Sequence, residues 1–327
     1  MAPLLTVIIE WENVQLSEIG RAKAMLQALA EQIHDLRSPK QGNVAGQPAT
    51  DVEILVLYND LAIDGRAVHS IVTSVLPNQN SEFELRILTA SGLHYYELKN
   101  FGAGLAKGNL VVFLDSDVIP QRNWLASLVA PFEDPQMKVV GGESFIDPTD
   151  LVGKTFALFW FFDRPSAPGR LYKRQHFWAN NVAFRKDTLL QYPFPKLDGP
   201  NRGSCSELAG ILRRNGIEIY RNSSAQVSHP APNGLRHIVT RAIAEGRDRT
   251  FSMHPDPREA SRRDSLRRLG THLKSLRTIV RDRSTVDLPV WQLPLALALC
   301  ASYQLLQFYG EVRTKANPEL MRHRFQI

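Results

Sequence analysis

The residues Leu110-Val111-Val112-Phe113-Leu114-Asp115-Ser116-Asp117 decide the fold, because an unbroken apolar run ends abruptly at two carboxylates. Five consecutive apolar residues predict a strand that is buried on both faces of a parallel sheet. Its carboxyl end then places Asp115 and Asp117 at the edge where open α/β folds bind their ligands. Two such carboxylates suit Mg²⁺ or Mn²⁺ holding a phosphate, whereas an isolated Asp-Ser-Asp is also an ordinary turn sequence.

The segments on both sides of this run alternate between strand and helix patterns. The predicted strands are Thr6–Ile9, Val52–Tyr58, Phe83–Leu88, Leu110–Leu114, Val139–Glu143, Ile217–Tyr220 and Ala225–Ser228. The predicted helices are Ser17–Leu36, Tyr95–Ala106, Trp124–Val129 and Ser206–Asn215. Strands and helices alternating at this spacing predict right-handed βαβ units, and therefore an α/β fold whose mostly parallel sheet is flanked by helices.

Composition limits the protein classes to which the chain can belong. With 327 residues, 43% of them hydrophobic, the chain is long enough for one large or two ordinary domains. Its two cysteines, Cys205 and Cys300, are far apart, so neither a disulfide framework nor a zinc site is predicted. The N-terminal residues lack the basic segment of a secretion leader, so we expect them to lead directly into the first strand. We also expect the protein to lie in a reducing, cytoplasmic compartment.

The order of the motifs resembles that of family-2 glycosyltransferases with the GT-A fold, which is Rossmann-like. The matching landmarks are TVII at 6–9, VLYND at 56–60, KNFG at 99–102, AKG at 106–108, VFLDSD at 112–117, NVAFR at 181–185, Leu208–Gly216 and VSH at 227–229. Together they extend over roughly seventy per cent of the chain. The resemblance implies an inverting enzyme that uses a nucleotide diphosphate sugar and Mn²⁺ or Mg²⁺. It also implies a GT-A domain over residues 1–235 and a helical C-terminal region over 236–327.

The resemblance assigns donor, acceptor and metal roles to residues at the strand ends. The implied donor-binding residues are Glu10, Trp11, Asn59, Asp60, Lys99, Asn100 and Asp115. The implied acceptor contacts are Asn180 and Asn181, and the implied metal ligands are Asp117 and His229. A lone histidine is more often structural, but a neutral imidazole is also a good Mn²⁺ ligand. The first four donor positions depart from the usual family sequences, so the nucleotide base stays unassigned.

The general base is the position at which the sequence departs most from the family. Relatives carry a Glu-Asp pair there, but the matching residues are Ser204 and Cys205, neither of which is a carboxylate. Glu207, three residues after Ser204, is the candidate catalytic base, although Ser-x-x-Glu is also the signature of a helix capping box. The alternatives are a base from elsewhere, such as Asp198, or a catalytically silent domain that binds nucleotide sugar as a sensor or scaffold.

The C-terminal region is first basic and then apolar. From Arg236 to Arg283 it holds thirteen Lys or Arg against six Asp or Glu. Arg258–Arg283 has the pattern of a basic amphipathic helix, which can lie on anionic lipid. The twenty-two uncharged residues of Leu288–Tyr309 leave three alternatives open, namely an interfacial helix, a bilayer span, or a helix packed on the body or on a partner chain.

A membrane-bound form would have a defined orientation. The basic residues would keep the catalytic body at the inner face of the plasma membrane, and the acceptor would then be lipid-linked or a surface glycan precursor. Nucleic acid is not an expected partner, because the basic tail lacks interleaved aromatic residues and a recognised nucleic-acid fold.

Overall fold

A computed structural model describes residues 5–15, 18–37, 51–77, 82–197, 203–253, 262–322 and 324. Its strands are β1 Leu5–Glu10, β2 Val52–Tyr58, β3 Phe83–Thr89, β4 Leu110–Asp115, β5 Ile119–Pro120, β6 Val139–Ile146, β7 Leu171–Arg174, β8 Asn181–Arg185 and β9 Ile219–His229. Its α-helices are α1 Ile19–Arg37, α2 Gly65–Val75, α3 Tyr95–Leu105, α4 Trp124–Val129, α5 Leu151–Phe159, α6 Lys186–Gln191, α7 Ser204–Arg214, α8 Gly234–Met253, α9 Arg262–Asp282, α10 Leu293–Ala316 and α11 Pro318–Arg322.

The described residues divide into two compact units. The first lies within Met1–Ser144, Pro165–Lys196 and Cys205–His229. The second lies within Phe145–Arg164, Leu197–Ser204 and Pro230–Ile327. Two segments ahead of residue 230 therefore join the C-terminal helices, whereas the sequence predicted a single boundary at residue 235.

The sheet has the order β3-β2-β1-β4-β8-β6-β9-β5, with β7 paired to β9. The first four strands are parallel, and in their register Glu10 lies opposite both Leu57 and Asp115. The pairs of β8 with β4 and β6, and of β9 with β5 and β7, are antiparallel. The sheet is therefore mixed, and the expectation of parallel pairing holds for its first half, where β1 and β4 end at one edge.

One strand is longer than the sequence predicted. The predicted strands Ile217–Tyr220 and Ala225–Ser228 are replaced by a single strand, β9, which begins at Ile219, because the polar residues between them also keep the strand conformation. Pairing with β7 holds this stretch extended, with Asn222 opposite Leu171. Strand β7 was not predicted from the sequence, and without its pairing the polar stretch resembled a loop between two strands.

Helices cover both faces of this sheet. One core cluster packs α1, α2 and α4 against β1, β2 and β4, and it contains Met25, Val72 and Trp124. The other cluster packs α3, α6 and α7 on the opposite face, and it contains Leu98, Leu189 and Leu212. Strand β4 contributes alternate residues to both clusters, as expected of a strand that is buried on both faces.

The second unit is helical. Helix α10 packs against α5, α8 and α9, with Ala296, Cys300 and Tyr303 in its core clusters. Helices α8 and α10 approach so closely that a Cβ atom on Gly246 would lie 2.0 Å from the Gln307 carbonyl oxygen. The segment 288–309 thus contributes a packed helix. Within the described residues no helix, α10 included, is both long and apolar enough to cross a bilayer.

Candidate active site

The ends of β1 and β4 carry a buried polar network centred on Asp115. Its Oδ1 atom accepts from Lys99 Nζ at 2.6 Å, and its Oδ2 atom accepts from Tyr95 Oη at 2.6 Å and Asn13 Nδ2 at 3.1 Å. The Lys99 side chain has no exposed area and lies 4.6 Å from the Tyr95 ring centroid. A carboxylate has about four acceptor positions, so these three donors fix Asp115 and leave it one more.

Glu10 is the second carboxyl group of this network. Its Oε1 accepts from Asn13 Nδ2 at 2.8 Å, and its Oε2 accepts from the Glu12 amide at 2.9 Å. Complete burial, and next the negative charge of Asp115, raise the pKa of Glu10 well above its usual range. Burial and Asp115 likewise raise the pKa of Tyr95, which therefore stays a hydrogen-bond donor. Burial and the neighbouring carboxylate thus oppose ionisation of Glu10, whereas its two hydrogen-bond donors favour it.

Glu12 connects this network to the start of α3. Its Oε2 accepts from the Tyr95 amide at 2.7 Å, and its Oε1 lies 3.0 Å from His94 Nδ1. A carboxylate at a helix N-terminus satisfies an otherwise unpaired amide and interacts favourably with the helix dipole. Glu12 therefore positions the first turn of α3, which carries Tyr95 and, four residues later, Lys99.

Asp117 and His229 lie together, although they are more than a hundred residues apart in the chain. The distance from Asp117 Oδ2 to His229 Nε2 is 3.8 Å, and both side chains are largely buried. Arg21 of α1 joins their two segments, because its Nε donates to the Asp117 carbonyl at 2.6 Å and its Nη2 to the Ser228 carbonyl at 2.8 Å. Arg21 therefore holds the turn after β4 against the end of β9.

The chemistry of Asp117 and His229 fits a divalent cation. A carboxylate oxygen and an imidazole nitrogen are both Mn²⁺ donors, and a separation of 3.8 Å allows each to lie about 2.1 Å from one ion. Among the described residues no three His, Cys, Asp or Glu side chains form a metal-binding group. Of the described residues, Asp117 and His229 are the pair that would hold the ion, and the phosphates of a substrate and water could supply further ligands.

Replacing Arg21 by methionine should weaken Mn²⁺ binding by about 10- to 100-fold, the usual cost of losing a partner that orients the ligands. Both proposed ligands remain, but the two segments that carry them lose their common donor. Titration of Mn²⁺ by electron paramagnetic resonance measures the loss directly. Arg37→Met is the matched control, since Arg37 also lies on α1 and donates to a backbone carbonyl, that of Glu82. Equal affinities in the two variants would contradict the positioning role.

Other predicted donor contacts have structural partners here. Trp11 is 1% exposed and lies in the core cluster around β1. Asn59 Oδ1 accepts from the amides of Leu61 and Gly92, whereas Asp60 is exposed. Asn100 exchanges two hydrogen bonds with the backbone of Phe194. These contacts stabilise loops, and the donor roles of the four residues stay predictions.

The two predicted acceptor residues are also buried. Asn181 accepts from Trp124 Nε1 at 2.8 Å and donates to the Glu143 and Ala225 carbonyls, both at 3.0 Å. These bonds link β8 to β6, β9 and α4. Asn180 accepts from Ser144 Oγ at 2.9 Å. The Asn181 amide is therefore fully used in joining the sheet.

The predicted base is a surface residue. Glu207 is exposed, and its Oε1 accepts from Arg214 Nη2 at 3.1 Å along α7. Cys205 Sγ lies 3.5 Å from Tyr96 Oη, and burial raises the pKa of its thiol. Cys205 therefore remains a neutral thiol near pH 7. Asp198, the other candidate, lies outside the described residues.

Sequence reasoning missed four residues of this site. They are Glu12, Asn13, Arg21 and Tyr95. A signal existed for Tyr95, which precedes Lys99 by four residues and so shares its helix face. No local signal existed for Arg21, because the carbonyls that it contacts belong to residues 96 and 207 positions away.

Comparison with known proteins agrees with this fold. The model of the family described as glycosyl transferase family 2 matches residues 69–195. Comparison of the sequence with curated proteins gives no significant match. The mannosyltransferase PcManGT from Pyrobaculum calidifontis, solved with GDP-Man and Mn²⁺, aligns with a TM-score of 0.57 and 16% identity, over 98% of this chain and 88% of that one.

Two further solved structures have lower scores. GalNAc-T7, solved with UDP, GalNAc and Mn²⁺, aligns at a TM-score of 0.49 and 12% identity, over 74% of this chain and 47% of that one. A mycobacterial protein aligns at 0.46 and 14%, over 76% of this chain and 73% of that one. The match to glycosyl transferase family 2 over residues 69–195 and the fold shared with PcManGT support a glycosyltransferase with the GT-A fold.

Proposed function

We propose that the chain is a metal-dependent, inverting glycosyltransferase that moves a sugar from a nucleotide diphosphate sugar to a hydroxyl group of a glycan or lipid-linked acceptor in surface glycan or glycolipid synthesis. The observation that carries this proposal is the pair Asp117 and His229, held 3.8 Å apart beside the Asp115 network. PcManGT, which has the same fold, was solved with GDP-Man and Mn²⁺. The class of donor and the metal in this proposal follow those of PcManGT. The nucleotide base and the sugar of the donor are left unassigned.

In this proposal Asp117 and His229 would hold Mn²⁺ or Mg²⁺, which when bound would neutralise the charge that develops on the leaving nucleoside diphosphate. Lys99, Tyr95 and Asn13 fix Asp115, whose remaining acceptor position orients a ribose or sugar hydroxyl. Preorganised polar groups of this kind need no rearrangement during the reaction, and this property makes them effective in catalysis.

The acceptor hydroxyl needs a base on the side opposite the leaving group, since inversion proceeds by one in-line displacement. We propose Glu207 for this role. The Glu207 carboxylate must first separate from Arg214. Because this ion pair is exposed, its separation costs little free energy. Cys205 is a poor base because its raised pKa keeps the thiol protonated. Asn180 would be the acceptor contact from the sheet, whereas the predicted contact of Asn181 would require its amide to leave Trp124, Glu143 and Ala225.

A second candidate function is a silent domain that binds nucleotide sugar without turnover. The observation that favours it is the neutral Cys205 thiol at the usual position of the base, together with the Glu207 carboxylate held by Arg214. This alternative uses the same donor and metal residues. Only the transfer step separates the two functions.

The deciding experiment follows donor binding and nucleoside diphosphate release together, using UDP-, GDP- and dTDP-sugars with Mn²⁺ and a panel of acceptors. Glu207→Gln should lower release by about 10²- to 10⁴-fold, the usual contribution of a general base, and should leave donor binding intact. Glu218→Gln is the matched control, because Glu218 is equally exposed and paired with Lys173. Donor binding without release in the wild-type protein would favour the silent domain.

A further inference from the structure

Helix α10 exposes an apolar stripe along its whole length. We define the outer stripe as its exposed positions at alternating spacings of three and four residues: Leu295, Ala298, Ser302, Leu305, Tyr309, Val312 and Ala316. Leu305 is 68% exposed, Leu295 57% and Tyr309 50%. Spacings of three and four residues place these side chains on one face of the helix.

The opposite face of α10 is the one that packs inside the second unit. Ala296, Cys300, Tyr303, Gly310 and Thr314 are buried, and they lie about half a turn from the outer stripe. A helix held by one face usually presents charged or polar side chains on the other. An exposed apolar stripe of this length marks an interaction surface.

The turn before α10 extends the stripe with an aromatic residue. Trp291 is 73% exposed and precedes Leu295 by four residues, and the adjacent Val290 is 61% exposed. Tryptophan and tyrosine are enriched where a membrane meets water, because one end of each ring is apolar and the other can form hydrogen bonds. Trp291 and Tyr309 thus give the outer stripe interfacial aromatic residues near both ends.

The charge that α10 itself exposes is positive. Glu311, the only acidic residue of α10, is 1% exposed, whereas Arg313 is exposed and Lys315 is a second basic residue near the C-terminal end. The neighbouring helix α9 exposes Lys274 and Arg277. Basic residues beside an apolar face are complementary to anionic lipid, each contributing about 1 kcal/mol near such a surface.

A second copy of the chain is a weaker fit to the same stripe. The spacing would suit a coiled coil, in which the positions flanking the seam carry opposite charges. Here the charges in those flanking positions are Arg313 and Lys315, so a parallel pair of α10 helices would bring like charges together. Anionic lipid would instead neutralise them.

Helix α9, which the sequence suggested for lipid binding, uses part of its apolar face elsewhere. Its residues Leu276 and Ile279 pack in a core cluster of the second unit with Ala296 and Cys300 of α10. Among the side chains that the structure describes, the exposed apolar surface is most continuous on α10.

We propose that the outer stripe, with Trp291, binds the surface of an anionic lipid membrane, with α10 lying in the plane of the interface. The helix stays packed on its buried face while the stripe enters the boundary between headgroups and acyl chains, to a depth of about 5–10 Å. The inference goes beyond the proposed transfer reaction. Its test uses neither donor nor metal, so its failure is separate from a failure of the proposed function.

The test is flotation of the full chain with phosphatidylcholine vesicles that contain or lack phosphatidylglycerol. The wild-type protein should float with the anionic vesicles, and Leu305→Gln/Tyr309→Gln should lower its partition coefficient at least about tenfold. Leu171→Gln/Leu190→Gln is the matched control, because it changes two similarly exposed apolar residues of the first unit and should bind as the wild type does. Vesicles should also shift the tryptophan emission to the blue, and Trp291→Phe should remove most of that shift.

Three results would overturn the proposal. The first is absence of wild-type protein from the anionic vesicles, and the second is equal binding by the stripe variant and the control. The third is a dimer in sedimentation velocity that Leu305→Gln/Tyr309→Gln dissociates without any vesicle binding, which would assign the stripe to a second copy. Equal binding to neutral and anionic vesicles would remove the anionic part of the proposal.

Discussion

Asp117→Asn should weaken Mn²⁺ binding by at least about a hundredfold, and metal-dependent binding of a nucleotide sugar should fall with it. The loss should exceed that of an orienting partner, which is about 10- to 100-fold, because the substitution removes the charge of a proposed ligand itself. Asparagine keeps the shape of the side chain and one oxygen, so the turn after β4 and its contact with Arg21 are retained. The expected effect is therefore on affinity and not on folding.

Electron paramagnetic resonance of free Mn²⁺, with donor binding measured in parallel, would test this. Asp35→Asn, which changes an exposed carboxylate on α1, is the control and should bind Mn²⁺ as the wild type does. Arg21→Met should fall between the control and Asp117→Asn, since it disturbs the ligands without removing one. Retention of wild-type affinity in Asp117→Asn would exclude this residue as the metal ligand.

Lys99→Met should destabilise the first unit by about 3–5 kcal/mol, the usual cost of removing one partner of a buried ion pair. Methionine fills a similar volume, but Asp115 would keep only neutral donors, in a place where Lys99 has no exposed area. The nearby Glu10 would lose the attraction of Lys99, which opposes the rise of its pKa. The expected penalty comes from an uncompensated buried charge and not from lost packing.

Urea denaturation of the wild type and the variant would measure the change in unfolding free energy. Lys107→Met is the matched control, because Lys107 is also an ion-paired lysine, with Glu84, but both side chains are about half exposed. Exposed pairs contribute at most about 1 kcal/mol. A similar, small effect of both substitutions would show that the Asp115 network does not depend on the Lys99 charge.

Fold class followed from local patterns along the chain, and it was confirmed. The apolar run Leu110–Leu114 became β4, the predicted strand Val52–Tyr58 and helix Trp124–Val129 have the observed bounds, and the enzyme class implied by the motif order agrees with the family match. Such elements are predictable because period and length are visible within a few residues. Strand β9 was divided wrongly, since its polar middle depends on pairing with β7.

Sequence patterns and motif order predicted only part of the candidate site. Motif order named Asp115, Asp117 and His229, which the fold brings to one sheet edge, and it also named asparagines whose amides bond to other parts of the fold. The ligand roles of all these residues stay predictions. Asn100 forms two hydrogen bonds with the backbone of Phe194, and Asn181 connects three strands and α4. A side-chain amide serves a sugar hydroxyl and a backbone carbonyl equally well, so its partner depends on what lies beside it.

By itself, the sequence determined the α/β architecture, the carboxylates at the end of β4 and the glycosyltransferase motif order. Each of these features depends on residues that are close together in the chain. Only the tertiary structure decided which groups surround them: Lys99, Tyr95 and Asn13 on Asp115, and Arg21 between the segments of Asp117 and His229. It also decided which face of α10 is exposed. Hydrogen bonds and burial act over a few ångströms in space, whatever the separation along the chain, and only folding sets those distances.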